Sequence, residues 1–406
     1  MRKKLFKTFC VFCALCGAIH SQTVVKPGIE VLLEQRLDLI MGKGVGLITN
    51  PTGVNSKLES TVDLLYRTPG VRLVALFGPE HGVRGDVAAG DDISDAVDPK
   101  TKIPVYSLYG KNQAPSAKML KGVDILLYDI QDIGNRTYTY VSTMALAMQA
   151  AKQNNIPFVV LDRPNPLGGN LVEGPVLDPK FSSFIGFYPI PYLYGLTAGE
   201  LARYFNVEFG INCDLTVVPL KGWRRDMNFT QTGLEWVPTS PHIPQKETAF
   251  YCAATGAIGE LGTVNIGVGY TLPFELVGEE WIDGDQLARE LNGRKLPGVI
   301  FRSCSYRPFY GNREKVALHG VQVHMINYSV IQPIRTQIHI LEAIHKLYPK
   351  QDIFDPKRIG SFDKACGTDK VRLAILGNKD AETIITGWQK DVDDFKIKSR
   401  QYYLYQ

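Results

Sequence analysis

Short apolar runs that stop at a polar residue recur through the first half of the chain. Val45 to Thr49 runs into Asn50-Pro51, Val71 to Phe77 into Gly78-Pro79-Glu80-His81, Val123 to Tyr128 into Asp129, and Phe158 to Leu161 into Asp162-Arg163-Pro164-Asn165-Pro166. Runs of four to seven residues rich in Val, Leu, Ile and Phe and closed by Gly, Pro, Asn or Asp predict strands buried on both faces. Between them the spacing turns helical, over Ser60 to Tyr66 and over Val141 to Gln153, where Val141, Met144, Ala145 and Met148 share one face. Strand then helix, repeated, predicts the α/β class with a mostly parallel sheet and helical crossovers.

Beyond Pro238-Thr239-Ser240-Pro241 the pattern changes. Prolines at 238, 241 and 244 mark a rigid connection, and the run "GAIGELGTVNIGVGYTLPFELVG" is rich in glycine and bare of helical periodicity. Gly284 to Leu291 and Pro333 to Leu347 read as helices, and Val299 to Tyr306 and Val316 to His324 as strands. The expected organisation is a first domain over residues 23–248 and a smaller, mixed α/β domain over residues 249–406.

At 406 residues with 45% hydrophobic and 10% aromatic content, the chain can build real cores. Arg2, Lys3, Lys4 and Lys7 precede an apolar stretch from Phe9 to Ile19 and small polar residues near Ser21, which predicts a secretory signal peptide over residues 1–21 and an exported, periplasmic or secreted protein. Loss of those four basic residues lowers Lys+Arg from 45 to 41, equal to Asp+Glu, so the mature chain is formally neutral and has no charge excess to bind nucleic acid. No other segment reaches membrane-spanning length, so no membrane insertion is expected after the signal is removed. Cys10, Cys13 and Cys16 fall inside the signal; Cys213, Cys252, Cys304 and Cys366 are widely spaced and read equally as buried thiols or as pairs in an exported protein.

In a parallel sheet the carboxyl ends of the strands lie along one edge, so Asn50, Glu80, Asp129 and Asp162 should converge on one crevice. The sequence has no G-x-S-x-G elbow, no H-E-x-x-H helix and no G-x-x-x-x-G-K loop, and Gly42, Gly44 and Gly46 precede a strand rather than follow one. What it offers is Glu80 beside His81, then "YDIQDIGNRTYTY" with Asp129, Gln131, Asp132, Arg136, Tyr138 and Tyr140, then "DRPNP" with Arg163 and Asn165, then Glu173 in "VEGP". Paired carboxyl groups with tyrosines and an arginine suit glycoside hydrolysis, in which one carboxylic acid protonates the leaving oxygen and a second group attacks, stabilises or activates water. A metal site built from His81, Asp129 and Asp162 is the competing reading, and composition leaves both open.

At these residues the chain resembles the NamZ-like exo-β-N-acetylmuramidases. The resemblance rests on "GLITNPTG", "LFGPEHGVRG", "YDIQDIGNRTYTY", "VLDRPNPLGG", "VEGPVLD", "WVPTSPHIP", the run from Glu260 to Glu275 and "ACGTDKVR", in order over nearly the whole mature chain. It implies a Rossmann-like first domain, a smaller C-terminal α/β domain, an active site in the cleft between them, and release of N-acetylmuramic acid from the non-reducing end of peptidoglycan-derived glycans without a cofactor or metal. Carried onto this sequence, it makes Glu80 the first choice for the acid or base, with His81 orienting it or touching substrate and Asp129 and Asp162 as candidate partners. Arg84, Arg136 and Arg163 become candidates for the lactyl carboxylate that distinguishes muramic acid. Asn50, Gln131, Tyr138, Asn165, Glu173 and Glu260 complete the substrate-binding set; Glu260 matches the glutamate of the family's "EGTN" run, although Leu261 follows it here. A metal-dependent hydrolase of cell-wall sugar amides or esters and a non-catalytic periplasmic muramyl-sugar binding protein are the alternatives.

Overall fold

The computed structural model describes residues 24–85 and 96–406. The expected signal peptide, with Cys10, Cys13 and Cys16, lies outside the described residues. The first part of the chain carries strands β1 (Gly44–Thr49), β2 (Arg72–Gly78), β3 (Ala96–Val97), β4 (Pro104–Ser107), β5 (Ile125–Asp129), β6 (Phe158–Leu161), β7 (Val172–Glu173), β8 (Leu193–Tyr194) and β9 (Leu215–Val218), with helices α1 (Gly28–Gln35), α2 (Thr61–Arg67), α3 (Tyr140–Gln153) and α4 (Ala198–Glu208). Seven strands form one sheet in the order β3-β4-β2-β1-β5-β6-β9, parallel except for β3. β1, β5 and β6 are buried at every position, as their unbroken apolar runs require. Residues of α3 and α4 bury one face of the sheet, and Ile29 and Leu32 of α1 with Val62 and Leu65 of α2 bury the other.

The order of the strands positions the site. From β1 the chain moves outward to β2 and β4, then returns to place β5 on the other side of β1. The switch point is thus between β1 and β5, where their flanking loops diverge and open a crevice beyond the carboxyl ends. Thr49 pairs in register with Asp129, and Ile48 with Phe77, so the ends of β1, β2 and β5 are level.

The remaining chain forms α5 (Thr248–Gly259), β10 (Leu276–Glu279), α6 (Gly284–Gly293), β11 (Val299–Tyr306), β12 (Leu318–Met325), α7 (Pro333–Leu347), α8 (Ile359–Cys366), α9 (Lys370–Leu376) and α10 (Ala381–Ser399). β10, β12 and β11 make a three-stranded antiparallel sheet. α5 corrects the expectation of a non-helical run after residue 256. Gly259 is tolerated there because a Cβ would lie 2.5 Å from Ile266 Cδ1, so the helix gives up propensity to let the next loop pack against it.

The aromatic C-terminus folds back onto the first sheet. The Tyr405 hydroxyl donates to Asp162 at 2.6 Å, the Leu404 N–H donates to Glu200 at 2.9 Å, and the Tyr403 ring lies 3.5 Å from the Arg225 guanidinium. Glu200 is itself paired with Arg225 at 2.7 Å, so the tail closes over a buried ion pair next to the end of β6.

Candidate active site

β2 delivers its acid through a tight turn. The Gly82 N–H donates to the Pro79 carbonyl at 2.9 Å, and His81 and Gly82 both adopt left-handed backbone, with φ of 74° and 75°. A histidine in this region is strained by its Cβ, and such strain is concentrated where a side chain must be presented at a fixed angle. Gly78 permits the turn: a Cβ there would meet the Val83 nitrogen at 2.9 Å.

Glu80 is half-buried, and its carboxylate faces two hydroxyls. Thr139, the residue capping α3, donates to Oε2 at 3.4 Å, and the Tyr109 hydroxyl beyond β4 hydrogen-bonds to the same side chain. Burial first, then the Glu80 charge, raises the Tyr109 pKa, so its phenol stays a donor. The positive end of α3 adds a favourable field for a carboxylate at this point.

The opposite side of the site is made by the loop through Thr239 and His242. Tyr140 donates to the Thr239 carbonyl at 2.5 Å and Tyr138 to Thr239 Oγ1 at 2.7 Å, with the two rings edge to face at 4.9 Å. That fixes the loop so that His242 comes within electrostatic range of His81; burial, then His81, lowers the His242 pKa. His242 Nε2 lies 2.8 Å from the Tyr310 hydroxyl, which belongs to the loop after β11. The site therefore joins the ends of β2 and β4, the start of α3, the proline-rich connection and the second sheet.

At the switch point, Asn50 Oδ1 accepts from the Thr52 N–H and hydroxyl, while its Nδ2 is buried beside the Tyr140 hydroxyl. Asp132 Oδ1 accepts from Tyr194 at 2.6 Å and from the Gly134 N–H at 2.8 Å, and Oδ2 has no partner. Burial pushes the Asp132 pKa up to about 7 against those hydrogen bonds.

Several expected site residues are engaged elsewhere. Asp129 is fully buried: Oδ1 is 2.5 Å from Arg163 Nε and Oδ2 accepts from Thr61, while Arg163 Nη2 donates to the Val54 carbonyl at 2.7 Å. This corrects both the catalytic reading of Asp129 and the lactyl reading of Arg163, because each satisfies the other's charge inside the protein. Asp162 is also corrected. Its oxygens accept from Thr197, Tyr405 and the N–H groups of Arg163 and Gly199, and burial raises its pKa to about 6 even so. It fixes the start of α4 and the C-terminal tail. The trio His81, Asp129 and Asp162 is accordingly not assembled as metal ligands, and among the described residues no group of three or more His, Cys, Asp or Glu side chains is arranged to hold a metal.

Arg84 pairs with Asp98 at 2.8 Å and Asp63 at 3.3 Å, so its charge is also spent. Arg136 is buried under Gly367 and donates to the carbonyls of Ala365 and Cys366 at the end of α8; burial lowers its pKa to about 10. It ties the loop after β5 to the end of α8, and among the described residues its Nε and Nη1 have no hydrogen-bond partner. Gln131 donates to the carbonyls of Asp132 and Pro164, and Asn165 to that of Leu196, which makes both of them loop braces. Glu173 accepts from the Ile334 N–H and caps α7. Glu260 sits 3.5 Å from Arg358 on the wall of an adjoining cavity of about 420 Å³ that Tyr310 also lines. Of the expected residues, Asn50 and Glu80 both act on Tyr140, against which Tyr138 packs. Tyr109, Thr139, His242 and Tyr310 were missed. His242 lay inside a stretch read as a connection, and β4 is a four-residue strand with no fully apolar run to reveal it.

Glu173 carries a testable electrostatic cost. Burial raises its pKa to about 7 against its ordinary 4.5, so between those values the folded protein holds a proton the unfolded chain has released. Folding stability from this group is therefore complete below about pH 4.5 and is lost as pH rises through 7. Glu173→Gln keeps the acceptor for Ile334 and cannot ionise. Its Tm relative to the parent should be flat near pH 4 and rise towards pH 8, by an amount equivalent to about 1–2 kcal/mol. Parallel Tm curves for the two proteins across that range would contradict the assignment.

Residues 45–247 match the family description "Exo-beta-N-acetylmuramidase NamZ, N-terminal" and residues 251–405 match "Exo-beta-N-acetylmuramidase NamZ, C-terminal". The chain is 47% identical over 389 residues to the peptidoglycan beta-N-acetylmuramidase NamZ of Bacillus subtilis (strain 168), covering 95% of this chain and 93% of that protein. Two crystal structures of DUF1343 family proteins from Bacteroides fragilis NCTC 9343 superimpose on it. One has a TM-score of 0.90 at 48% identity and the other 0.77 at 30%, each covering 94% of this chain and 99% of its own.

Proposed function

Because the chain belongs to the exo-β-N-acetylmuramidase NamZ family, we propose that it releases N-acetylmuramic acid from the non-reducing end of peptidoglycan-derived glycans, with Glu80 as the proton-transferring group. The observation that carries the residue assignment is the presentation of Glu80 by a strained turn beside the switch point, with its carboxylate against Thr139 and Tyr109. As a carboxylic acid it protonates the glycosidic oxygen as the bond to the anomeric carbon breaks; water then adds its hydroxyl to that carbon and its remaining proton restores the acid, leaving free muramic acid and a glycan shorter by one sugar. Neither Asp129 nor Asp162 takes the second role, since both are consumed by internal partners. A signal peptide over residues 1–21 fits a glycan substrate outside the cytoplasm, and among the described residues no helix is long and apolar enough to cross a membrane.

The test is direct. Purified protein incubated with a muramic-acid-terminated oligosaccharide should release free N-acetylmuramic acid one unit at a time, with no early appearance of internal fragments. Tight binding of the same glycan without any release would instead favour the sugar-binding alternative, and internal cleavage would contradict the exo mode.

A further inference from the structure

A cavity of about 420 Å³ lies beside the site. It runs along α5 at Gly256 and Gly259, passes the loop from Gly262 to Gly269, and ends at the segment from Tyr310 to Arg313. Its size lies within the range of small-ligand sites. Tyr310 links it to the loop opposite Glu80, because its hydroxyl is 2.8 Å from His242, which lies within electrostatic range of His81.

The chemistry of the lining restricts what fits. Its charged groups are compensated within the protein: Glu260 lies 3.5 Å from Arg358, and Arg313 is 2.8 Å from Glu279. An anionic ligand would have to compete with a carboxylate for either guanidinium. Val264, Ile266, Val268 and Phe274 give apolar surface, bare glycine backbone lets a ligand approach main-chain groups closely, and Tyr310 offers a half-exposed ring with Phe309 packed at 5.5 Å. A surface that is apolar in patches, rich in backbone hydrogen-bonding groups and edged by an aromatic ring suits a pyranose, which has C–H faces and a rim of hydroxyls.

We infer that this cavity is the subsite for the neutral N-acetylated pyranose on the reducing side of the scissile bond, with the Tyr310 ring as its stacking surface. The inference rests on the proposed muramidase reading for the identity of that sugar, but the cavity's preference for a neutral pyranose follows from its own lining.

The experiment compares the parent with Tyr310→Ala, Tyr310→Phe and Asn312→Ala in two assays. The first is kcat/KM on N-acetylmuramyl-β-1,4-N-acetylglucosamine divided by kcat/KM on an aryl β-N-acetylmuraminide, which has no second sugar. The second is calorimetric titration of free N-acetylglucosamine. Tyr310→Ala should lower the kinetic ratio and the affinity for the free sugar each by about tenfold. Asn312→Ala, which removes the polar side chain next to Tyr310 on the cavity wall, should lower both by a smaller factor. Tyr310→Phe, which keeps the ring and loses only the hydroxyl that meets His242, should hold the ratio within about twofold. Equal losses on both substrates in Tyr310→Ala would mean that the ring only supports His242 and would overturn the subsite, as would a parent that shows no saturable binding of the free sugar. If the parent cleaves neither substrate yet binds N-acetylglucosamine in a Tyr310-dependent way, the pyranose site stands and the muramidase reading falls.

Discussion

Glu80→Gln is expected to lower kcat/KM on a β-linked N-acetylmuramyl disaccharide by about 10²–10⁴-fold, the usual contribution of a positioned general acid or base. The carboxamide has nearly the shape of the carboxylate and still accepts from Thr139 and Tyr109 through its oxygen. Glu80 is half-buried and makes no ion pair among the described residues, so Tm should change by the equivalent of less than about 1 kcal/mol. What the amide cannot do is deliver a proton to the departing sugar oxygen. That gives the prediction a second edge: the loss should shrink as the leaving group becomes a better one, because a nitrophenolate departs with little need of protonation. A uniform loss across leaving groups would assign Glu80 to activation of water instead, and retained activity with the disaccharide would remove it from the reaction.

The fold was legible because the physics that makes a parallel strand is local. An unbroken apolar run ending at Gly, Pro or Asp marks both the strand and its end, and β1, β2, β5 and β6 lie within a few residues of where those runs predict. The site was half legible for the same reason. A strand end says that a polar residue stands at the crevice edge, but not whether its side chain turns outward to a ligand or inward to a partner remote in sequence. Glu80 stays half-buried where the chain makes a left-handed turn at His81, with Thr139 donating to its carboxylate. Asp129 and Asp162 occupy equivalent ends and turn inward, to Thr61 and Arg163 in one case and to Thr197 and Tyr405 in the other. Tyr405 is 243 residues away from Asp162, and nothing in the pattern of either segment names the other. His242 and Tyr310 were hidden differently: they meet only after the proline-rich connection and the second sheet are folded against each other.

The inward turn of Asp129 makes the second large prediction a test of stability rather than of catalysis. If Arg163 held the substrate's lactyl carboxylate, its replacement would raise KM and leave Tm unchanged. The structure places it 5% exposed, against a carboxylate that is fully buried, with Nε 2.5 Å from Oδ1. Arg163→Met then strips the buried Asp129 carboxyl group of its guanidinium partner and leaves it, among the described residues, the Thr61 hydroxyl; breaking a buried ion pair from one side costs about 3–5 kcal/mol. For a protein of this size that corresponds to a fall in Tm of roughly 5 °C. Combining Arg163→Met with Asp129→Asn should recover a substantial part of the loss, because the amide oxygen can still accept from Thr61 and no buried charge is left uncompensated. Chemical denaturation of the two single variants and the double variant measures the coupling between the residues. A coupling near zero, with Tm intact and KM raised in Arg163→Met alone, would return Arg163 to the substrate and undo the assignment of this pair to the framework beneath the site.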